Sequence, residues 1–195
     1  MTGPVDLAGL DPREQLRLLV SELAVIRGRV RLASGREADY YVDLRRVTLH
    51  HRAAPLTGHL LIDLLEDRGL VAGDDYAAVG GLTMGADPVA AAMLHAAAAR
   101  GLDLDAFVVR KEAKAHGLQR RVEGPSVAGR AVVAVEDTST TGGSVITAVE
   151  ALRAAGADVK AVAVIVDRAT GAQARIESLG LPYFYLFGLA DLGLV

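Results

Sequence analysis

The stretch of the chain that most restricts the possible folds is residues 132–144, with the sequence VVAVEDTSTTGGS. It opens with an apolar run of the length of a buried strand. It continues through an acidic pair, Glu136 and Asp137, into a loop of glycine and hydroxylated residues. The apolar residues after this loop recur at helical spacing. The stretch therefore predicts a strand, a loop and a helix in immediate succession, which is the building unit of a parallel α/β sheet.

The loop has the composition of an anion site. Backbone N–H groups at the start of a helix favour a phosphate, and Gly142 and Gly143 allow the backbone to approach it closely. The loop has neither the G-x-x-x-x-G-K-[ST] nor the G-x-G-x-x-G spacing, so it is not one of the common nucleotide loops. Glu136 and Asp137 would repel a phosphate, so they need another ligand, either sugar hydroxyls or a cation. The alternative interpretation is an ordinary strand-to-helix turn.

The same stretch closely resembles the 5-phosphoribosyl 1-pyrophosphate (PRPP) signature of type I phosphoribosyltransferases. In that family the two carboxylates lie against the ribose hydroxyls of PRPP, and the loop surrounds its 5′-phosphate. The resemblance implies ribose binding by Glu136 and Asp137. It implies phosphate binding by the loop residues Thr138, Ser139, Thr140, Thr141, Gly142, Gly143 and Ser144.

The composition favours one folded domain and argues against several other classes of protein. The chain has 195 residues, of which 51% are hydrophobic and 23% are charged, so a full core is expected. The net charge of −3 gives no electrostatic basis for general nucleic-acid binding. The absence of cysteine excludes disulfides and thiolate metal sites. The sequence shows no signal peptide and no apolar stretch of membrane-spanning length, so a cytoplasmic protein without a membrane partner is expected.

Periodicity predicts alternating helices and strands along most of the chain. Asp11-Pro12 predicts the start of a first helix that ends at Gly28, followed by a hairpin over residues 29–46. The later predictions are a helix at 52–68, a strand at 76–79, a glycine-rich loop at 80–86, a helix at 88–100 capped by Asp87, a strand at 106–109, an irregular loop at 111–129, strands at 130–135, 159–166 and 183–187, a helix at 172–178, and no regular structure at 188–195.

The alternation of strands and helices from residue 52 onward predicts a mostly parallel sheet with helices on both faces. Ligands of such sheets bind beyond the carboxyl ends of the strands. Together with the resemblance, this predicts an α/β fold of the type I phosphoribosyltransferase kind in a single domain. The core is expected over residues 52–187, with a small hood from residues 11–50 and the C-terminal end, and a lid loop at 110–129.

A charged segment at residues 110–117, RKEAKAHG, carries a more specific motif. It opens a long loop without periodicity, and loops of that length are commonly lids or binding loops. From its residues alone it is either such a cationic lid or a solvated surface loop. Its sequence closely resembles the mobile loop of orotate phosphoribosyltransferases. The resemblance implies that this loop closes over a neighbouring subunit's site in a homodimer. It also implies contacts to the pyrophosphate of PRPP from Arg110, Lys111, Lys114 and His116.

Two further segments resemble the part of that family's site that binds orotate. Arg168 follows a buried strand, where an arginine pairs either with a ligand carboxylate or, by default, locally with Asp167 or with solvent. In the family an arginine in this context binds the carboxylate of orotate, which implies that role for Arg168, with Thr140 near the base. The hairpin segment SGREADYYVDLR implies that Tyr40 and Tyr41 line the base pocket, although an aromatic pair in a strand more commonly serves packing.

Two positions depart from the pattern of many bacterial relatives. Ala33 and Met84 stand where those relatives have lysines at the PRPP site. Arg31, Arg36 and the backbone N–H groups of residues 81–85 are the alternatives considered for replacing the missing positive charge.

The reaction implied by the resemblance joins orotate and PRPP to give orotidine 5′-phosphate and pyrophosphate. Mg²⁺ is the expected cofactor, bound mainly through substrate oxygens and water rather than in a protein cage. The expected catalytic residues are Lys111, Lys114, His116 and Asp137, of which His116 and Asp137 are the candidates for proton transfer. The alternatives are a phosphoribosyltransferase for another base and a PRPP-sensing regulator, which would need a nucleic-acid-binding surface.

Overall fold

The computed structural model describes residues 7–31, 37–112 and 121–195. Its α-helices are α1 (Pro12–Leu23), α2 (Arg45–Thr48), α3 (Ala53–Glu66), α4 (Ala86–Arg100), α5 (Gly143–Ala154) and α6 (Ala172–Glu177). Its strands are β1 (Val25–Arg31), β2 (Glu37–Val42), β3 (Ala78–Leu82), β4 (Asp105–Val109), β5 (Val122–Glu123), β6 (Ala131–Ser139), β7 (Asp158–Asp167) and β8 (Tyr183–Gly188). A short 3₁₀ helix, Ala190–Leu192, lies near the C-terminus.

The centre of the molecule is a six-stranded sheet in the order β5-β4-β3-β6-β7-β8. The strands β3, β4, β6, β7 and β8 pair in parallel, whereas the short β5 is antiparallel to β4. The strands β1 and β2 form a separate antiparallel hairpin. The prediction of a mostly parallel sheet is confirmed, and β6, which carries the acidic pair, lies between β3 and β7.

Two apolar clusters cover the two faces of the sheet, because successive residues of a strand point to opposite sides. Val133 and Val135 of β6 pack in one cluster with residues of α1, α3 and α4. Val132 and Ala134 pack in the other with residues of α5 and α6. The continuously apolar strands are therefore buried on both faces, which is why their sequences do not alternate.

The first helix joins the core to the C-terminal end. Asp11 caps α1 by accepting a hydrogen bond from the backbone N–H of Glu14 at 3.0 Å. Arg13 donates to the carbonyl of Leu186 at 2.7 Å, and Arg17 donates to the carbonyl of Asp191 at 3.1 Å. In the described ranges, no helix is both long enough and apolar enough to cross a membrane.

The predicted end of the first helix is wrong. The helix α1 ends at Leu23, and Gly28 lies within β1 with a φ of 123°, where the pairing of β1 with β2 is shifted. Glycine can adopt this positive φ, and Gly28 therefore marks a bulge in the strand rather than the end of a helix.

The predicted loop at residues 80–86 is partly a strand, because β3 includes Gly80 and Gly81. A Cβ on Gly80 would collide with the carbonyl of Phe107, and a Cβ on Gly81 would collide with the carbonyl of Val135. Glycine is needed here because the neighbouring strands approach closely. The helix α4 accordingly begins at Ala86, two residues before the predicted start.

Three short elements fall outside the predictions. They are α2 after the hairpin, β5 within the segment predicted to be irregular, and the 3₁₀ helix near the C-terminus. Each spans only two to four residues, which is too short for hydrophobic periodicity to reveal.

Candidate active site

Glu136 and Asp137 lie within β6, which continues to Ser139 rather than ending at residue 135 as predicted. Both residues are buried, with 6% and 8% of their surface exposed. The N–H of Asp137 donates to Glu136 Oε1 at 3.2 Å, and the N–H of Thr138 donates to Asp137 Oδ1 at 2.6 Å. Burial raises the pKa of both carboxyls, and the charge of Asp137 raises the pKa of Glu136 further. The pair therefore favours a proton or a ligand that donates hydrogen bonds to it.

The start of α4 lies directly against this pair. A Cβ on Gly85, the residue that caps α4, would collide with Glu136 Oε1 and would lie 2.9 Å from Asp137 Oδ1. Because Gly85 has a helical φ of −64°, it is the close approach that requires glycine there. The positive end of a helix beside two carboxylates partly offsets their charge.

The loop after β6 forms a cavity of about 160 Å³, lined by Glu136 and residues 138–145. Gly142, with a φ of 75°, caps α5 at the end of this loop. The first residues of α5 line the cavity, and N–H groups at a helix start have no acceptor within the helix. Arg175 of α6 donates to the carbonyl of Thr141 and holds the loop from outside. The loop thus has the geometry of an anion site.

A second cavity of about 340 Å³ adjoins the first, since Glu136, Thr138 and Ser144 line both. Its other walls are residues 41–45 from the end of β2 onward, residues 82–85 from the end of β3 to the start of α4, Asp137 and Lys111. The two adjoining cavities thus meet at the acidic pair, with the glycine- and hydroxyl-rich loop on one side of it.

The two cations at the start of the predicted lid lie in different places. Lys111 lines the second cavity. The backbone N–H of Arg110 donates to the carbonyl of Arg121 at 2.7 Å, and its Nη1 lies 3.7 Å from Glu123 Oε1. Lys114 and His116 lie outside the described residues.

Of the two positions where relatives have lysines, only residue 84 lies in the part of the chain that the structure describes. Ala33 lies outside the described residues, as does Arg36. Met84 lines the second cavity with 66% of its surface exposed. The wall at residue 84 is therefore an open, uncharged surface.

Arg168 lies beside the phosphate loop and faces the hairpin. Its N–H donates to the carbonyl of Ser139 at 2.9 Å, and its guanidinium carbon is 5.8 Å from the centre of the Tyr40 ring. Its Nε is buried and has no hydrogen-bond partner in the described part of the chain. The neighbouring Asp167 accepts instead from the hydroxyl of Tyr183 at 3.0 Å. Local pairing of Arg168 with Asp167 is therefore not observed, and Arg168 is available to a ligand.

The other predicted contacts to the base lie at the same edge of the sheet. Tyr40 and Tyr41 are neighbours in β2 and so point to opposite faces of the hairpin. Tyr41 lines the second cavity, whereas Thr140 lines the first. The structure thus places Tyr40 beside Arg168, whereas Tyr41 and Thr140 line two different cavities that adjoin each other.

The site residues Asp43, Arg45 and Arg175 were not among those predicted from the sequence, and Gly85 was considered only for its backbone N–H. Arg45 lines the second cavity, and its Nε donates to Asp43 Oδ1 at 2.8 Å. The charged Asp-Leu-Arg sequence after the hairpin was the available signal for the first two. No local signal distinguishes Gly85 or Arg175, because their partners lie far away in the sequence.

Fold and site together define the class of this protein. A phosphate cavity beside a buried acidic pair, at the carboxyl edge of a parallel sheet, is the arrangement of a phosphoribosyltransferase. The sequence profile of the phosphoribosyl transferase domain matches residues 51–179.

Relatives and solved structures specify the family. The orotate phosphoribosyltransferase of Streptomyces coelicolor is 64% identical over 185 residues, which are 94% of this chain and 98% of that protein. That of Mycobacterium avium is 60% identical over 181 residues, which are 93% of this chain and 96% of that protein. The crystal structure of Mycobacterium tuberculosis H37Rv orotate phosphoribosyltransferase in complex with PRPP has a TM-score of 0.81 and 52% identity, covering 94% of this chain and 100% of that chain. The chain belongs to the orotate phosphoribosyltransferase family, which confirms the resemblance predicted from its motifs.

Proposed function

We propose how this chain performs the reaction of its family, in which the phosphoribosyl group of PRPP is transferred to orotate. The products are orotidine 5′-phosphate and pyrophosphate, in the de novo synthesis of UMP. The observation that carries the proposal is Arg168, whose Nε is buried and without a partner among the described residues. Its guanidinium carbon lies 5.8 Å from the centre of the Tyr40 ring, and its backbone N–H donates to Ser139 beside the phosphate loop. A base that carries a carboxylate supplies the partner that this guanidinium lacks among the described residues.

The acceptor site combines the residues that converge around Arg168. Arg168 binds the carboxylate of orotate, and Thr140 contacts the base from the phosphate loop. Tyr40 and Tyr41 line the pocket from the hairpin. The cation over the ring of Tyr40 supports this geometry, because it fixes the guanidinium at the wall of the base pocket.

The donor site uses the two joined cavities. The 5′-phosphate of PRPP binds in the cavity formed by residues 138–145, and its ribose hydroxyls donate hydrogen bonds to Glu136 and Asp137. This pair is suited to hydroxyl donors, because burial raises the pKa of both carboxyls. As the bond to pyrophosphate breaks, the anomeric carbon becomes positive, and the charge of Asp137 offsets this change.

The pyrophosphate binds in the second cavity under the lid. Lys111 is already at the wall of this cavity. Arg110, Lys114 and His116 join it from the neighbouring subunit, when that subunit's loop at 110–129 closes over the site. In the structure, Arg110 forms an ion pair with Glu123 at 3.7 Å. When the loop closes, Arg110 leaves this ion pair and binds the pyrophosphate. The closed lid excludes water, which would otherwise attack the sugar. His116 and Asp137 are the groups proposed to handle the proton.

The donor chemistry of the site fits Mg²⁺. Glu136 and Asp137 offer carboxylate oxygens, the ligand type that this hard ion prefers. The ion would be held mainly by PRPP oxygens and water, with Glu136 and Asp137 as the neighbouring carboxylates. When bound, Mg²⁺ neutralises charge on the departing pyrophosphate.

The proposal includes a cytoplasmic homodimer of single-domain subunits, with no nucleic-acid or membrane partner. In each subunit a hood from residues 11–50 and the C-terminal end covers a core of residues 52–187. The hydrogen bonds from α1 to Leu186 and Asp191 support the joining of the two parts of the hood. The net charge of −3 supports the absence of a nucleic-acid partner.

The direct test is the loss of orotate absorbance in the presence of PRPP and Mg²⁺. Parallel assays with uracil, adenine, hypoxanthine and xanthine test the alternative of another base. Among these five bases, we expect turnover only with orotate. No turnover with orotate would overturn the proposal, and turnover with a purine would favour the alternative.

The role of the lid is tested by Lys111→Ala. Because the lysine faces the pyrophosphate and not the core, kcat should fall by about tenfold or more while the melting temperature stays unchanged. Lys160→Ala is the matched control, since that lysine pairs with Asp158 on β7 at 2.6 Å. Full activity of Lys111→Ala would show that the lid assignment is wrong.

A further inference from the structure

The second cavity has many carboxylates for a site that must hold pyrophosphate. Asp43, Glu136 and Asp137 all line it. Among the described residues that line it, the cations are Arg45 and Lys111. Charges in a partly enclosed cavity interact more strongly than in water, so an unbalanced acidic wall would repel the ligand. The position of Arg45 is therefore important for the electrostatics of the cavity.

The structure holds Arg45 in a fixed orientation. Its Nε donates to Asp43 Oδ1 at 2.8 Å, and its backbone N–H donates to the same oxygen at 3.3 Å. The backbone N–H of Asp43 in turn donates to the carbonyl of Ala24 at 3.0 Å. Leu44 and Val47, which are 1% and 0% exposed, anchor α2 in the core. The guanidinium is thus placed by a rigid segment rather than by a flexible loop.

This arrangement leaves the far side of the guanidinium for a ligand. Arginine has five N–H donors, and Asp43 occupies the one on Nε. Within the described ranges, the two Nη nitrogens of Arg45 have no hydrogen-bond partner. The side chain is 48% exposed and lines the cavity, so a ligand can reach it. The planar pair of Nη nitrogens matches the oxygens of a phosphate group.

We propose that Arg45 binds the pyrophosphate group of PRPP and provides the positive charge that Ala33 and Met84 do not. The inference rests on the proposed function, because it assigns a ligand group to that site. This proposed role of Arg45 is distinct from an effect on the pKa values of Glu136 and Asp137. Burial is the main cause of the raised pKa of Asp137, and Arg45 opposes that rise only as a lesser effect.

Kinetics and product binding of Arg45→Ala test the inference. Loss of a charge-assisted, bidentate contact should raise the KM for PRPP and the inhibition constant of pyrophosphate by about ten- to hundredfold. The Kd of orotidine 5′-phosphate should stay at the wild-type value, because this product has the phosphate, the ribose and the base but no pyrophosphate. Arg45→Lys keeps the charge but not the paired nitrogens, so it should show a smaller change in the same two constants.

Arg46→Ala is the matched control, since Arg46 is the adjacent arginine of α2 and is not among the residues that line either cavity. Its constants should match those of the wild type. If the wild type itself does not convert orotate and PRPP, the proposed function is wrong. If the wild type is active and Arg45→Ala keeps its KM for PRPP, only the present inference is wrong.

An equal loss of affinity for orotidine 5′-phosphate and pyrophosphate would also overturn the inference, because Arg45 would then act through the acidic pair or the fold. Melting temperatures of all variants identify a folding defect. Should Arg45→Ala not fold, the same comparison of pyrophosphate with orotidine 5′-phosphate in Arg45→Lys decides the question.

Discussion

Replacing Glu136 by glutamine is expected to stabilise the ligand-free protein at neutral pH, because Glu136 is a buried carboxyl. Burial, together with the charge of Asp137, raises the pKa of Glu136 from 4.5 to about 8. In the unfolded chain the same group ionises near 4.5. Between these values the folded protein holds a proton that the unfolded chain releases. The free energy of unfolding therefore falls as the pH rises through this window, and glutamine removes the loss.

The size of the effect follows from the width of that window. One pKa unit corresponds to about 1.4 kcal/mol, and pH 7 lies about 2.5 pH units above 4.5, so the upper limit is about 3 kcal/mol. Because Asp137 titrates together with Glu136, we expect a gain of about 1–3 kcal/mol. For a chain of this size, that gain corresponds to an increase of about 2–8 °C in the melting temperature.

Thermal unfolding of the wild type and Glu136→Gln, followed by circular dichroism at several pH values, measures this gain. It should be largest near pH 8, be small at pH 4.5 and vanish below about pH 4, where the carboxyl is protonated in both the folded and the unfolded wild type. Glu22→Gln is the control, because the same change at an exposed position of α1 leaves the buried pair intact. A gain of equal size at every pH, or no gain at neutral pH, would refute the reasoning. The variant should also bind PRPP more weakly, since its ribose loses a carboxylate acceptor.

Arg168→Gln should raise the KM for orotate by about ten- to hundredfold and leave the KM for PRPP nearly unchanged, because in the proposed site the guanidinium binds the carboxylate of orotate and not PRPP. Steady-state kinetics with each substrate varied in turn checks this, and equal changes in both constants would contradict the assignment. Gly85→Ala should raise the KM for PRPP by about tenfold or more, because the new Cβ would displace the carboxylate of Glu136. Gly188→Ala is its control, since a Cβ there would have no neighbour nearer than 3.8 Å, and unchanged kinetics of Gly85→Ala would count against the close packing.

Local patterns along the chain predicted the elements that have a strong and sufficiently long signal. The cap at Asp11 marks the start of α1, and the apolar runs of β6 and β7 mark strands buried on both faces. The predictions failed where a glycine is required by contacts with distant parts of the chain rather than by a local turn. Gly80 and Gly81 belong to a strand, because the adjacent carbonyls leave no room for a side chain.

In the candidate site, too, the residues that are contiguous in the sequence were easier to predict than those whose partners lie elsewhere in the chain. The phosphate loop is contiguous in the sequence, so its hydroxyls, glycines and acidic pair were recognisable together. Arg168 was recognisable only with its local alternative still open. The structure argues against the local pairing with Asp167, because the carboxylate of Asp167 accepts a hydrogen bond from Tyr183 on the neighbouring strand β8. The ligand role of Arg168 stays a prediction.

The sequence by itself determined that residues 132–144 form a strand, a glycine- and hydroxyl-rich loop and the start of a helix, because these depend on composition and spacing within a short stretch of chain. It also determined the family, through two contiguous motifs. Only the tertiary structure decided that Gly85 packs against Glu136 and that Arg45 faces the second cavity. These contacts join segments that are separated in sequence, and they depend on the order and register of the strands, which no local pattern encodes.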